Sequence, residues 1–274
     1  MRKVSLIRCL IPLLVLAFQG IAQADATLDR VKSRGSVVVG VILSGPPFGY
    51  VDPNTQQPTG LNADLARSIA DKLKLKLEFV TVTPPNRVQF LQQGKVDLLL
   101  ANMQLTPERA ELLGYVPTPY TEAGGGLITR KGSGVRKWED LKGKVVCVSQ
   151  GSNYAKPLTE QYGANVRALP GQPESLLALK GGSCFASVHD SAPLHLLVQD
   201  NPEWKDFELP ISSDLTPLPS VIWIRKGEGD FQAALDKIVQ DWYRTGWLLE
   251  TLKKNRVPVT PEFLKWQAKL VGTK

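Results

Sequence analysis

Histidine is scarce in this chain of 274 residues: only His189 and His195 are present, with no spaced set of further ligands beside them. A tetrahedral metal site draws three or four ligands from such side chains, so no metal is expected. Cysteine is almost as rare, with three residues in all. Charge of one sign is nowhere concentrated. The formal net charge of +7 is spread along the chain without a Lys/Arg block, and the footprint of a nucleic-acid partner is missing. Beyond the N-terminus, no segment approaches the roughly 20 apolar residues that a membrane helix requires.

The N-terminus itself is patterned. Arg2, Lys3 and Arg8 precede the apolar run Cys9 to Phe18, and Ala22-Gln23-Ala24 forms a small-x-small site before Asp25. This is the layout of a secretory signal over residues 1–24, leaving an exported, soluble protein. Cys9 opens the apolar run instead of following a cleavage site, which argues against a lipid anchor. Without the three basic residues the charge falls from +7 to +4. Two cysteines then remain, Cys147 and Cys184. An even count in an oxidising compartment suggests one disulfide, with two buried free thiols as the alternative, because pairing requires Cα atoms within about 7 Å.

One stretch organises the rest. Val96 to Ala101 is an apolar run without alternation, as in a parallel strand covered on both faces, and it leads through Asn102-Met103-Gln104 to Thr106-Pro107-Glu108-Arg109. Thr106 suits an N-cap and Pro107 the first helical position, whose N–H has no intrahelical partner anyway. Arg109 then lies in the first turn, where a cation opposes the helix dipole and calls for an anion: a neighbour such as Glu108 or Glu111, or a ligand. The loop amides of Asn102 to Gln104, the helix start and the guanidinium together describe a carboxylate-sized site at a strand's carboxyl end, where open α/β sheets bind ligands.

The flanking pattern is α/β. Ser36 to Ile42 and Leu77 to Val82 read as strands, Asn62 to Lys74 as a helix striped by Leu61, Leu65, Ile69 and Leu73, and Asn86 to Gln93 as a short helix stopped by Gly94. Such alternation gives a parallel sheet with right-handed crossovers. Gly124-Gly125-Gly126 then supplies the backbone freedom of a hinge, or of a plain loop. A second unit follows, with strands at Lys144 to Ser149 and Cys184 to Val188. A glycine turn Gln150 to Asn153 starts a helix near Ser152 or Asn153, and another helix covers Pro173 to Lys180. Asp190 ends its strand as Asn102 ends the other, either capping the next helix or facing a cleft. Ser220 to Arg225 returns as a strand. Phe231, Leu235, Ile238 and Trp242 stripe a helix capped by Asp230, and Trp242, Trp247 and Trp266 read as core or rim packing. These elements make two lobes, residues 25–124 with 223–274 and residues 125–222, with Arg109 and Asp190 facing one cleft from opposite sides.

An ordered series of short stretches resembles the bacterial periplasmic solute-binding proteins, family 3, which serve ABC importers of polar amino acids. It comprises Val38-Val39-Gly40, Pro46-Pro47-Phe48, Gly60-Leu61-Asn62-Ala63-Asp64-Leu65-Ala66, Gly94-Lys95-Val96-Asp97, Thr106-Pro107-Glu108-Arg109, Pro119-Tyr120, Asp140-Leu141-Lys142-Gly143-Lys144, Gln150-Gly151-Ser152 and Arg225-Lys226-Gly227. The resemblance implies a type II-like binding-protein fold: two α/β lobes joined by a two-strand hinge, with the ligand between them. It assigns the α-carboxylate of an amino acid to Arg109, with the loop amides near Asn102 and Gln104 and the turn at Ser152 and Asn153. The α-ammonium falls to Asp190. Relatives that bind basic amino acids carry an acidic residue and a stacking aromatic where this chain has Ile42 and Gly45, which disfavours lysine, arginine and histidine. Arg87 resembles a position that meets the side-chain carboxylate in aspartate and glutamate binders, the alternative being a solvated helix arginine. Gln104 replaces a small hydroxyl residue, and Cys147 with Cys184 matches a pair found in some relatives, which implies a disulfide.

The expectation is therefore a monomeric periplasmic protein that captures a polar, possibly acidic, L-amino acid for a membrane permease. It needs no cofactor and no catalytic residue. The alternatives are a cyclohexadienyl dehydratase-like enzyme on the same fold, for which Asp190 is the main candidate carboxylate, and a periplasmic ligand sensor.

Overall fold

A computed structural model describes residues 26–272, so the expected export signal and Cys9 lie outside the described residues. After the helix Ala26–Arg34 come β1 (Ser36–Val41), a small hairpin of β2 (Tyr50–Val51) and β3 (Pro58–Thr59), the helix Leu61–Leu73, β4 (Lys76–Thr81), the helix Arg87–Gln92 and β5 (Leu98–Leu100). β1 pairs in parallel with β4 on one side and β5 on the other, with Val39 opposite both Phe79 and Leu98. Paired on both edges and covered on both faces, β1 is buried along nearly its whole length, which is why it reads Ser-Val-Val-Val-Gly-Val without alternation. Leu61, Leu65, Ala66 and Ile69 of the covering helix join that core.

The helix Pro107–Leu112 follows, capped by Thr106, whose hydroxyl accepts from the Arg109 N–H at 3.3 Å. β6 (Gly114–Tyr115) completes the near side of the sheet, and β7 (Thr121–Arg130) starts a second sheet. That sheet adds β8 (Val145–Ser149), β9 (Asn165–Leu169), β10 (Ala186–Asp190), β11 (Phe207–Glu208) and β12 (Leu215–Ser220). β8 runs parallel to β9 and β10, while β7 is antiparallel to β10. Cys147 on β8 and Cys184, just ahead of β10, form a disulfide with Cα atoms 5.9 Å apart.

Several expectations change. The three glycines are no open hinge loop: they lie inside β7, paired with β10 and β12. Their reason is close approach, since a Cβ on Gly124 would sit 2.5 Å from Cβ of Asp214 and one on Gly126 2.9 Å from Cα of Ser191. The strand expected over Ser220 to Arg225 divides into β12 and β13 (Trp223–Ile224), because the chain leaves the second sheet at Ser220 and enters the first at Trp223, opposite Leu99. β7 and β12 thus lie side by side as the two strands that connect the sheets. The helix Gly229–Arg244 is preceded by Glu228, not capped by Asp230; the Glu228 carboxylate accepts from Arg225 at 2.7 Å. That helix, Trp247–Lys254 and Pro261–Val271 pack back onto the first sheet, with Trp242 fully buried against Trp247 at a ring separation of 5.2 Å.

Candidate functional site

A cleft of about 310 Å³ opens between the two sheets, within the size range of small-ligand pockets. Its walls come from the residues at, or just beyond, the carboxyl ends of β1, β4 and β5 on one side and of β8, β9 and β10 on the other. In both sheets the parallel strands therefore point their carboxyl ends at the same space. Arg87, Asn102, Gln104, Arg109, Ser152, Asn153 and Asp190 all line it; Ile42 does too, whereas Gly45 is not part of the wall.

The helix start at Thr106 presents Arg109 to the cleft. Its guanidinium donates to the Gln104 carbonyl at 2.8 Å, crosses to the Gly151 carbonyl at 3.0 Å and reaches Oδ1 of Asn153 at 3.5 Å. Among the described residues neither Glu108 nor Glu111 pairs with it as an ion pair. Burial lowers its pKa, opposed chiefly by the Asp190 carboxylate.

Asp190 ends β10 and precedes the helix Ser191–Asp200, yet its side chain caps nothing. Oδ1 instead accepts from the Tyr154 hydroxyl at 2.7 Å and from Nε2 of Gln104 at 2.9 Å. Burial raises its pKa, while those two hydrogen bonds and the guanidinium groups of Arg87 and Arg109 pull it back. Gln104 thus touches both charged groups, with its carbonyl on Arg109 and its amide on Asp190, and spans the cleft between the sheets.

Arg87 opens its short helix but is not solvated: it is 6 % exposed, with one guanidinium nitrogen donating to the Ala101 carbonyl at 2.8 Å. Burial lowers its pKa, Arg109 adds to that, and Asp190 opposes it. Asn102 adopts a left-handed backbone, φ 48°, and its side chain accepts from Asn62 at 2.7 Å. The second turn differs from expectation. Its helix begins at Ala155, the Ser152 N–H is used by the Ser149 carbonyl, and the Ser152 hydroxyl accepts from the Tyr154 N–H.

Sequence reasoning did not find Tyr154, Ser149 or His189, which also line the cleft. Tyr154 looks like one more apolar helix residue, and only the fold aims its hydroxyl at Asp190. His189 shows no sequence signal beyond standing next to Asp190. Among the described residues there is no group of three or more potential metal ligands and no helix long and apolar enough to cross a membrane.

Residues 37–256 match the family described as bacterial extracellular solute-binding proteins, family 3, and the chain belongs to that family. The ABC transporter glutamine-binding protein of Bacillus subtilis is 30% identical over 224 residues, which cover 78% of this chain and 80% of the relative. The L-glutamate/L-aspartate-binding protein of Pseudomonas aeruginosa is 24% identical over 239 residues, 82% of this chain and 78% of the relative. Among solved structures, the solute receptor for L-cysteine of Neisseria gonorrhoeae superposes with a TM-score of 0.79 at 29% identity, covering 86% of this chain and 98% of the receptor. The fold is that of the type II binding proteins.

Proposed function

We propose that this chain is the exported substrate-binding component of an amino-acid ABC importer. It works in the periplasm as a monomer, closing the lobe of residues 25–124 and 223–274 and the lobe of residues 125–222 over one polar L-amino acid and presenting it to a membrane permease. The carrying observation is that Arg109 and Asp190, opposite charges from the two sheets, line one cleft and share Gln104. A zwitterion is the small ligand that satisfies both. Arg109, with Ser152 and Asn153, meets its α-carboxylate; Asp190 meets its α-ammonium through Oδ2, the oxygen that no donor among the described residues occupies. Neither charge could be buried in a closed cleft without its counterpart.

Arg87 selects the side chain. A buried guanidinium with one carbonyl partner favours an anion beside it, which points to an acidic amino acid. The loop amides near Asn102 and Gln104 join Arg109 at the α-carboxylate, and the cleft carries out binding without catalysis.

Thermal shift and calorimetry across the twenty amino acids test this reading. Binding at a hundredfold excess over Kd stabilises by about 2.7 kcal/mol. A shift with glutamate or aspartate, abolished in Arg87→Met, supports the whole proposal. A shift with neutral polar amino acids alone keeps the transport role and removes Arg87 as selector. No shift with any amino acid overturns the role, and turnover of prephenate or arogenate would then support the dehydratase alternative.

A further inference from the structure

Asp190 is held in place by a tyrosine that the sequence gave no reason to connect with it. Tyr154 stands just before the helix Ala155–Glu160 and packs its ring into the core of the second sheet with Val148, Val188 and Leu215, while its hydroxyl reaches the cleft. In β7, Gly125 lies directly opposite Asp190 on one side and Leu215 on the other. Residues paired in this way put their side chains on one face of the sheet. Gly125 has none, and the Tyr154 ring fills the gap: a Cβ there would lie 3.0 Å from Cδ1 and 3.1 Å from Cε1 of that ring. The slot over Gly125 brings the hydroxyl alongside Asp190.

A phenol has one hydrogen to give and an oxygen that can also accept. The hydrogen goes to Oδ1 of Asp190 at 2.7 Å, and the oxygen accepts from Nε2 of Gln104 at 2.7 Å. The same Nε2 donates to Oδ1 at 2.9 Å, so the three side chains close a ring of hydrogen bonds. Oδ1 therefore meets two donors from fixed directions, which stops the carboxylate from turning and leaves Oδ2 for a ligand. Burial, and after it the Asp190 carboxylate, push the Tyr154 pKa well up, so the hydroxyl keeps its proton and stays a donor. Burial raises the Asp190 pKa, and the Tyr154 hydrogen bond is the leading force against that rise, ahead of Gln104, Arg87 and Arg109.

We propose that Tyr154, seated in the slot over Gly125, is a positioning residue for Asp190 and fixes which carboxylate oxygen meets the α-ammonium of the bound amino acid. This rests on the amino-acid-binding role above and deepens it: Asp190 supplies the charge, and Tyr154 supplies its orientation and helps to keep it ionised in a buried place. Gln104 comes from the first sheet, so the ring of three also ties recognition of the ammonium to the approach of the two lobes. Gly125 serves the site by being bare, since any side chain there would take the space of the ring.

Calorimetry on the exported chain from about pH 8 down to about pH 4 tests this, with the amino acid that stabilises the wild type most, L-glutamate on the reading above. Affinity of each variant is read as a ratio to the wild type at the same pH, in which the ligand's own titration cancels. Tyr154→Phe keeps the ring in the core and removes only the hydroxyl. It should lower affinity by about threefold to tenfold near the alkaline end. The ratio should fall further on acidification, as the acid limb of binding moves up by about one pH unit. The other titratable groups that act on Asp190 and Tyr154, namely Arg87, Arg109, Tyr120 and Asp214, are untouched by the substitution. Gly125→Ala keeps the hydroxyl but crowds the ring, and should move the limb in the same direction by less. An affinity unchanged across the range in Tyr154→Phe, or a loss equal at every pH, would overturn the positioning role. Should Tyr154→Phe fail to fold, an unmoved acid limb in Gly125→Ala suffices to overturn it. Failure of every amino acid to bind the wild type would instead overturn the transport reading itself.

Discussion

The two halves of the molecule solve one problem with unequal means. The first sheet has a large core on one face that draws on β1, β5, the helix Leu61–Leu73 and the three C-terminal helices, including Trp242, Tyr243 and Phe231, and a smaller cluster around Leu91, Leu99 and Trp223 on the other. The second has smaller clusters on its two faces, one around Val146, Val148 and Tyr154 and one around Leu176, Trp204 and Phe207, and it adds a disulfide. Both nevertheless place their polar residues at the carboxyl ends of parallel strands, with cations from the first sheet and an anion, hydroxyls and an imidazole from the second. Scaffold mass and site chemistry are therefore separable: a site of this kind needs rigid strand ends, and either a bigger core or a covalent tie can hold them.

The comparison can be broken at several points. The largest effect is expected from removing one charge at a time. Arg109→Ala in the first half and Asp190→Asn in the second should each cost about 2–5 kcal/mol of ligand affinity by calorimetry, because the partner charge is left without its counterpart. Normal affinity in either variant would remove that residue from the site. Next, replacing Cys147 and Cys184 by serine opens a cross-link between residues 37 apart in sequence and should lower stability by about 3–4 kcal/mol. Hydrogen exchange should show the loss in β8 and β10 and spare β1 and β5; uniform loss would deny the halves their independence.

Gly126→Ala is expected to cost about 1–3 kcal/mol in a denaturation experiment, since its Cβ would press on the backbone of Ser191, which cannot turn aside as a side chain end can. A neutral result would restore the triplet to a mere flexible link. The smallest effect is a pH dependence. The Asp190 pKa is raised by burial, so its folded value lies above its unfolded one. Ligand-free protein should gain stability from this group as pH falls through that raised value, whereas affinity for the α-ammonium should fall over the same range, by about tenfold per pH unit below it. Melting curves with and without ligand should therefore converge on acidification, and Asp190→Asn should abolish the convergence.

Much of this was legible in the chain. The unbroken apolar run before Asn102 announces a doubly covered strand, and Thr106-Pro107-Glu108 announces a helix start. Both signals are local, set by a few neighbouring residues through propensity, capping and dipole, and β5 and the Thr106 cap appear where those forces put them. Arg87 was ambiguous for the opposite reason: burial of a long side chain depends on what folds over it. The glycine triplet misled because a sequence shows conformational freedom but not crowding, and the need here comes from Asp214 and Ser191, far along the chain.

By itself, then, the sequence determined the alternating α/β order, the strand ends and the two opposite charges that would meet there, because periodicity and capping act over short range. The tertiary structure decided how those charges are held. The Asn102–Leu105 loop is fixed by the returning chain, through the Trp223 indole on the Met103 carbonyl at 2.7 Å and the Leu105 N–H on the Pro219 carbonyl at 2.8 Å. Tyr154 and Gln104 converge on one oxygen of Asp190, and Nε2 of His189 is buried without a partner among the described residues. These contacts join residues from 36 to 120 positions apart, and only packing in three dimensions brings such groups within hydrogen-bonding reach.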